Sequence, residues 1–488
     1  MKNIFKIILT ISFGAILVFT ACEDRSDLTA PKAANTGTAD FSRYVALGNS
    51  LTAGYQSSSL FESAQEYSYP NLIAQQVNTS LVQPLVSDPG IGGRLQVADL
   101  VVVSGEIANV VLESNATQGT PKNSTYSKPY NNLGIPGAIL YDLVDSTDFA
   151  TKYVTRGNPF FSVVLRDAAF GKTVIKQANL LQPTFITLWI GNNDVLGYAT
   201  SGGTKGTDLT GKLPTETANF TALFNLVAAT LDTNAKVAVA NIPDVANIPY
   251  FTTIGPAVGL GLQGAMDANP AVVGLFYQKS GEIVASGLAQ PTDLYTGKVL
   301  MTLPAGSYAS LLGQSTGKFY TDNGITPPPG IDTNQPFGLH PQNPIPDVFV
   351  LDESEQAKVT AAVTSFNTTI AGIAGAKSNW ILVDMNTFFD EVKDLEKSMG
   401  GMYVNGIKFT TEFISGNTFS LDGVHPSSQG YAVVANKFIE EINKRFSAAI
   451  PLVNVATIPG SLPLSKKQYF EKLNIHVDLD ALKNVSYW

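Results

Sequence analysis

The most informative stretch of this 488-residue chain is Tyr44-Val45-Ala46-Leu47-Gly48-Asn49-Ser50-Leu51-Thr52. Its first four residues have the length and the apolar composition of a strand that is buried on both faces. The glycine, asparagine and serine that follow are typical of a turn. The stretch therefore predicts a strand, then a sharp turn, then a helix.

Three more short apolar runs resemble this strand, and helix-like segments lie between the runs. The predicted strands are residues 44–47, 185–190, 236–240 and 380–383, and the predicted helices are 176–181, 218–231 and 353–373. Strands that alternate with helices favour an α/β fold, here a three-layer α/β/α sandwich around a parallel sheet. In such sheets the reactive groups lie in loops beyond the carboxyl ends of the strands.

The chain divides into four predicted segments. These are a leader at 1–21, a polar tether at 22–40, a folded domain at 41–448 and a C-terminal extension at 449–488 that packs on the core. Two stretches inside the domain, at about 56–130 and 198–350, are rich in Gly, Pro, Thr, Asn and Ser. We interpret both as large loop insertions over or beside the sheet.

The first residues resemble an export signal. Lys2 and Lys6 precede an apolar run at 7–21 that is too short to span a bilayer comfortably. The formal charge of the whole chain is -9. An acidic protein of this kind is a poor partner for nucleic acid, and we expect none.

Cys22 is the only cysteine of the sequence, which excludes an internal disulfide and a cysteine-cluster metal site. Phe19-Thr20-Ala21-Cys22 resembles the lipobox of bacterial lipoproteins, which implies that Cys22 is acylated, for example by palmitate. The resemblance predicts a lipoprotein held by its lipid in the bacterial cell envelope, and we expect the outer membrane. The alternative is an ordinary cleaved signal peptide followed by an incidental cysteine.

The turn after the first strand holds a candidate nucleophile, Ser50. A serine at a strand-to-helix turn projects its hydroxyl from the sheet edge and offers its backbone N–H to a developing oxyanion. Far along the chain, Asp422-Gly423-Val424-His425 places a carboxylate three residues before an imidazole. In a tight turn the carboxylate reaches one ring nitrogen and leaves the other to face a nucleophile. We therefore predict Ser50 as nucleophile, His425 as base and Asp422 as the group that orients the base.

Two other turns offer donors for an oxyanion. Gly137 can bring its N–H close to a substrate oxygen, whereas Pro136 has no N–H to give. Asn193 follows the apolar run at 185–190 and supplies uncharged amide donors, while the neighbouring Asp194 would repel an anion. From these residues alone we assign the oxyanion hole to Asn193, because in isolation the turn at Gly137 is better interpreted as a plain turn.

Taken in order, these blocks resemble those of the SGNH or GDSL hydrolases, a family that includes acyl esterases and lipases. The resemblance extends over about 41–446 and is supported by Tyr69-Pro70 and by Asn241-Ile242-Pro243-Asp244. It implies a flavodoxin-like sheet and hydrolysis of carboxylic esters without a metal or any other cofactor. It also implies three oxyanion donors, namely the N–H groups of Ser50 and Gly137 and the side chain of Asn193. The implied substrate is an ester, either an acyl lipid or an acylated glycan.

Asn49 departs from the family pattern, which usually has aspartate before the serine. Asparagine keeps the size and some of the hydrogen bonding but loses the charge, so we expect lowered activity and not its abolition. Pro136 is a milder departure.

The alternative function is a noncatalytic lipoprotein that uses the fold for glycan binding or envelope assembly. Acyl transfer is a second catalytic alternative, since it proceeds through the same intermediate but excludes water.

Overall fold

The computed structural model describes residues 34–103, 106–147, 149, 151, 154, 157–204, 214–231, 234–279, 286–460 and 474–477. Cys22, the leader and the first part of the tether lie outside these residues. Within the described ranges, no helix has both the length and the hydropathy needed to cross a membrane.

The strands belong to one central sheet and several small ones. In chain order they are β1 Tyr44–Gly48, β2 Leu95–Val103, β3 Glu106–Ser114, β4 Asn132–Gly134, β5 Phe185–Trp189, β6 Lys236–Ala240, β7 Leu275–Tyr277, β8 Gly287–Ala289, β9 Leu300–Met301, β10 Val350–Leu351, β11 Trp380–Val383, β12 Met402–Val404, β13 Ile407–Phe409 and β14 Asn474–Val477.

The central sheet has the spatial order β4-β1-β5-β6-β11, and every adjacent pair is parallel. Numbered by their succession along the chain, these strands run 2-1-3-4-5, which is the flavodoxin-like order. The predicted α/β sandwich with a flavodoxin-like parallel sheet is therefore confirmed. Outside this sheet, β2 and β3 form an antiparallel hairpin, and β14 pairs with β3 in parallel.

Helices cover both faces of the sheet. In chain order they are α1 Ser50–Ala53, α2 Glu62–Gln65, α3 Tyr69–Gln76, α4 Phe160–Leu165, α5 Val174–Leu180, α6 Asn193–Thr200, α7 Thr217–Thr230, α8 Pro249–Thr252, α9 Ile254–Ala268, α10 Pro291–Tyr295, α11 Gly306–Ala309, α12 Lys318–Asp322, α13 Glu353–Ala376, α14 Met385–Met399 and α15 Ser428–Phe446.

The two faces of the sheet belong to separate apolar clusters, because alternate side chains of a strand point to opposite faces. Tyr44 of β1 lies in the cluster with α3 and α15, where Tyr69 stacks on Phe438 with ring centroids 4.7 Å apart. Val45 lies in the cluster with α5, α7 and α13, where Phe220 stacks on Phe366 at 3.8 Å. The central strands are therefore buried on both sides, which explains their continuous apolar runs.

The interpretation of 56–130 and 198–350 as insertions is wrong in part. The first stretch contributes α3, which packs beside α15 on one face of the sheet. The second contributes α7 and the core strand β6. In the first stretch the abundant glycine, proline and threonine belong to the connecting loops and conceal α3. In the second stretch, β6 and α7 correspond to the strand predicted at 236–240 and the helix predicted at 218–231.

Strand β4 was not predicted as a strand. It has only three residues, all of them buried, and begins with the polar Asn132. The segment has no apolar run long enough to predict a strand. Its extended conformation comes instead from pairing with β1.

The part of the C-terminal extension that the structure describes packs on the core. Ile450, Val453, Val455 and Ile458 are buried in the cluster that contains α15. Two asparagines of α15 support this packing, since Asn436 and Asn443 each exchange hydrogen bonds with backbone groups of the extension.

Candidate functional site

The candidate site lies at the carboxyl ends of β1 and β5, which are adjacent in the sheet. The chain leaves β1 toward β4 on one side and later continues from β5 toward β6 on the other side, so the strand order reverses between them. A crevice forms at such a switch point. Ser50 directly follows β1, and Asn192 and Asn193 follow β5, so the topology brings both turns to the same crevice.

The turn that carries Ser50 is held by a side-chain cap. Asn49 is fully buried, and its Oδ1 accepts the backbone N–H of Leu51 at 3.0 Å, at the start of the one-turn helix α1. Gly54 ends this helix in the left-handed conformation, with φ of 80°. Ser50 is thereby fixed at the wall of the crevice.

Ser50, His425 and Asp422 form one chain of hydrogen bonds. His425 Nε2 lies 2.9 Å from Ser50 Oγ, and His425 Nδ1 lies 3.0 Å from Asp422 Oδ2. Asp422 is fully buried and His425 is nearly so. The structure thus brings together the three side chains that the sequence singled out, although Ser50 and His425 stand 375 positions apart.

Local hydrogen bonds shape the turn that holds the aspartate and the histidine. Asp422 Oδ1 accepts the backbone N–H groups of Val424 and His425 at 2.9 and 2.8 Å. Such bonds from an aspartate to the residues just after it define an Asx-type turn. Gly423 has φ of 69°, and Ser427 caps the helix α15 through the N–H of Gly430.

The charge of Asp422 is maintained despite burial. Burial by itself raises the pKa of this carboxyl, but the adjacent His425 and the hydrogen bonds from His425 and from Ser58 outweigh it. The net result is a pKa below the ordinary value. Asp422 therefore stays ionised, as a partner that must stabilise an imidazolium should.

The loop after α1 supports the site and was missed by sequence reasoning. The backbone N–H of Ser58 donates to Asp422 Oδ2 at 2.9 Å, and that of Ser57 donates to Ser420 Oγ at 2.8 Å. Both residues have positive φ, 51° for Ser57 and 59° for Ser58. Non-glycine residues rarely adopt this conformation, and such strain is concentrated at functional sites. A run of small polar residues after Gly54 was the only available signal, and it is common to many loops.

Asn193 and Asp194 connect the turn after β5 to the loop that contains Gly137. Asn193 Nδ2 donates to the carbonyl of Ala138 at 2.9 Å, and because an amide has two N–H groups, one remains for a ligand. Asp194 accepts the N–H of Leu140 at 2.8 Å and the hydroxyl of Thr215 at 2.9 Å. Asp194 therefore holds the loops in place, while Asn193 lines the crevice.

Gly137 lies in that same loop, one residue before the carbonyl that Asn193 binds, and has φ of 77°. This left-handed backbone is the one that glycine adopts without strain. The structure thus brings the loops of Ser50, Gly137 and Asn193 together at one edge of the sheet.

A cleft opens beside Ser50 and His425. Apolar side chains from separate parts of the chain make up most of its wall, among them Leu51, Leu196, Val245, Ile248, Phe389 and Phe419. Residues 243–248, which fall in the stretch interpreted as an insertion, supply one side of the cleft.

Polar groups occupy part of the same wall. Lys393 donates a hydrogen bond to Asn247, and both side chains line the cleft together with Asp244. Burial, and to a smaller extent the nearby positive charge of Lys397, lowers the pKa of Lys393. Burial and the neighbouring Asp244 and Asp394 raise the pKa of Asp390 on the same helix, α14. Within the described residues, no group of three or more His, Cys, Asp or Glu side chains is arranged to hold a metal ion.

Comparison with protein-family models matches residues 44–298 to the family described as GDSL-like Lipase/Acylhydrolase. The matched range contains Ser50, Gly137 and Asn193 and ends before Asp422 and His425. A comparison with curated proteins finds none that matches the chain.

Proposed function

Because this chain belongs to the GDSL-like lipase and acylhydrolase family, we propose that it is a carboxylic ester hydrolase that forms an acyl-enzyme on Ser50. The observation that carries the proposal is the hydrogen-bonded chain from Ser50 Oγ through His425 to Asp422, with distances of 2.9 and 3.0 Å. A nucleophile that contacts a base, which is in turn oriented by a third group, is the arrangement that activates a serine.

The reaction follows from this geometry. His425 Nε2 accepts the proton of Ser50 as Oγ attacks the ester carbonyl, and the carbonyl oxygen becomes an oxyanion. The N–H groups of Ser50 and Gly137 and the amide of Asn193 stabilise this oxyanion. The intermediate expels the alcohol, which takes the proton back from His425. Water, deprotonated by His425, then attacks the acyl-enzyme and releases the carboxylic acid.

The wall of the cleft favours an ester with an apolar acyl group. Leu196, Val245, Ile248 and Phe389 surround space next to Ser50 and would bury several methylene groups, each worth about 0.8 kcal/mol. An acetyl group would leave most of this wall uncovered. The sequence left open an acyl lipid and an acylated glycan as substrates. The apolar lining favours the acyl lipid over a glycan whose acyl group is acetyl.

The test is hydrolysis of nitrophenyl esters whose acyl chains range from acetyl to dodecanoyl, with the purified protein and its Ser50→Ala variant. We expect turnover that depends on Ser50 and a kcat/KM that rises from acetyl to medium-length acyl chains. Turnover that persists unchanged in the variant would disprove the assignment of Ser50. Absence of turnover with every chain length and with acetylated sugars would favour a noncatalytic binder, and an acyl ester formed with an added alcohol would indicate acyl transfer.

We further propose that Cys22 carries the lipid that anchors this protein in the bacterial cell envelope, with residues 22–40 as the tether and 449–488 as an extension of the domain. The support is the leader, with Lys2, Lys6 and an apolar run before Phe19-Thr20-Ala21-Cys22. Metabolic labelling with palmitate, followed by membrane fractionation, tests this. Label that is retained in Cys22→Ser would contradict the proposed site.

A further inference from the structure

The buried Asn49 has an amide orientation that its hydrogen bonds determine. The atom that faces the backbone N–H of Leu51 must be the oxygen, Oδ1, because an N–H can only donate. The nitrogen of the same amide therefore points the other way. It donates to Oδ1 of Asn192, at 3.2 Å, in the turn after β5.

This bond also determines the orientation of Asn192. Since its Oδ1 faces Asn49, its Nδ2 must face away from Asn49. Asn192 lines the cleft together with Ser50 and Asn193. No acceptor in the described part of the chain receives a hydrogen bond from Asn192 Nδ2. Since this atom is also not among the buried side-chain atoms that lack a partner, it keeps some exposed surface. Asn192, in the wall of the cleft, thus carries a neutral N–H donor whose direction is set by Asn49.

We propose that Asn192 binds an oxygen of the ester group through Nδ2, and that Asn49 is the positioning residue that holds the Asn192 amide in this orientation. The inference rests on the proposed hydrolase function and adds a pair of residues to it. A neutral donor suits this place, because negative charge develops on the ester during the attack by Ser50. Asn49 is fully buried beside the cleft and acts through Asn192.

Aspartate, the residue that the family usually has at position 49, would reverse this arrangement while preserving the turn. Since Asn192 is the partner of Asn49 here, we expect asparagine at position 49 to support activity, contrary to the expectation from the family pattern. The carboxylate of an aspartate can still accept the N–H of Leu51, so the start of α1 keeps its cap. Its second oxygen would face Asn192 Oδ1 as one acceptor against another. The Asn192 amide would then rotate to donate toward position 49 and would turn its oxygen to the cleft, where it repels a developing oxyanion.

The experiment measures kcat and KM of the full chain for a nitrophenyl ester in Asn49→Asp, Asn192→Ala and the double variant. We expect each single variant to lose about 10- to 100-fold in kcat with little change in KM, at or below the lower end of what one oxyanion donor contributes. The double variant should be no slower than Asn192→Ala, because without Asn192 there is no amide left to turn. Asn225→Asp, which introduces the same charge on the exposed side of α7, is the control and should keep the wild-type kcat.

The outcomes separate this inference from the proposed function. Wild-type kcat in Asn49→Asp, or losses in the single variants that multiply in the double variant, would overturn the inference while leaving a Ser50-dependent hydrolase intact. Absence of Ser50-dependent turnover in the wild type would overturn both. Asn192→Leu, which is larger than asparagine but keeps its branching at Cγ and has no donor, serves as a second probe if the alanine variant lowers the melting temperature.

Discussion

The backbone N–H of Ser58 lies 2.9 Å from Oδ2 of Asp422, the same carboxylate oxygen that binds the imidazole of His425. Two further backbone N–H groups bind the other oxygen. The carboxylate is therefore held from two sides, by its own turn and by the loop after α1. This arrangement fixes the position of the base relative to Ser50.

The substitution Asp422→Asn should nearly abolish hydrolysis while the protein stays folded. An amide keeps the size of the carboxylate but cannot hold the imidazole in the same tautomer or stabilise its positive charge. We expect kcat to fall by about 10³- to 10⁴-fold, as the loss of this charge does in serine hydrolases. Steady-state kinetics on a nitrophenyl ester measures the effect, and circular dichroism checks the fold. A kcat within a few-fold of wild type would show that Asp422 is not the orienting group.

Asn193 provides a test of the oxyanion hole. Replacement by alanine removes the amide donor and should lower kcat by about 10²- to 10³-fold. Asn193→Asp should lose more, because a carboxylate at this place repels the developing negative charge. Both substitutions also remove the hydrogen bond from Asn193 to the Ala138 carbonyl, so the melting temperature of each variant must be measured together with its rate. Equal kcat values for the alanine and aspartate variants would argue against an anionic intermediate at this position.

Gly48 lies where the ends of β1 and β5 approach each other. A Cβ atom at this position would collide with Thr52 Oγ1 and with the carbonyl oxygen of Trp189. We expect Gly48→Ala to lower the free energy of unfolding by about 1 to 3 kcal/mol, the usual effect of overpacking. Denaturant unfolding measures the change.

The control for this prediction is Gly264→Ala, in the middle of α9, where a Cβ meets no atom within 4 Å. That substitution should stabilise the helix by up to about 1 kcal/mol. Destabilisation of equal size at both positions would mean that the close approach at Gly48 has no special effect.

Asp347 makes the stability depend on pH. Burial, with Glu355 and Asp352 nearby, raises the pKa of this carboxyl from 3.8 to about 8. Between these pH values the folded protein keeps a proton that the unfolded chain releases, so the contribution of Asp347 to stability is greatest below pH 4 and falls as the pH rises to about 8. Asp347→Asn removes this dependence.

The measurement for Asp347→Asn is thermal unfolding at pH 5 and pH 8. We expect the melting temperature of the variant to exceed that of the wild type by more at pH 8 than at pH 5. The same substitution at Asp267, which is exposed on α9, should change the melting temperature little at either pH. A difference between variant and wild type that is the same at both pH values would contradict the prediction.

Features that depend on neighbours along the chain could be predicted from the sequence. Alternating strands and helices indicated the sandwich, since the apolar runs of β1, β5, β6 and β11 reflect burial on both faces. The turn from Asp422 to His425 and the cap at Ser427 rely on bonds that span two or three residues. The short strand β4 could not be predicted in this way, because its conformation comes from pairing with β1 and not from its own composition.

By itself the sequence determined which residue types stand at the ends of β1 and β5 and in the turn before α15. Local hydrogen bonds and the periodicity of apolar residues depend on residues that are close together in the chain. Only the tertiary structure decided that Ser58 donates to Asp422, that Asn49 orients Asn192, and that residues 243–248 wall the cleft with Phe389 and Phe419. These contacts join segments that are far apart in the chain. They form because the strand order brings the segments to one edge of the sheet, and no local pattern encodes that order.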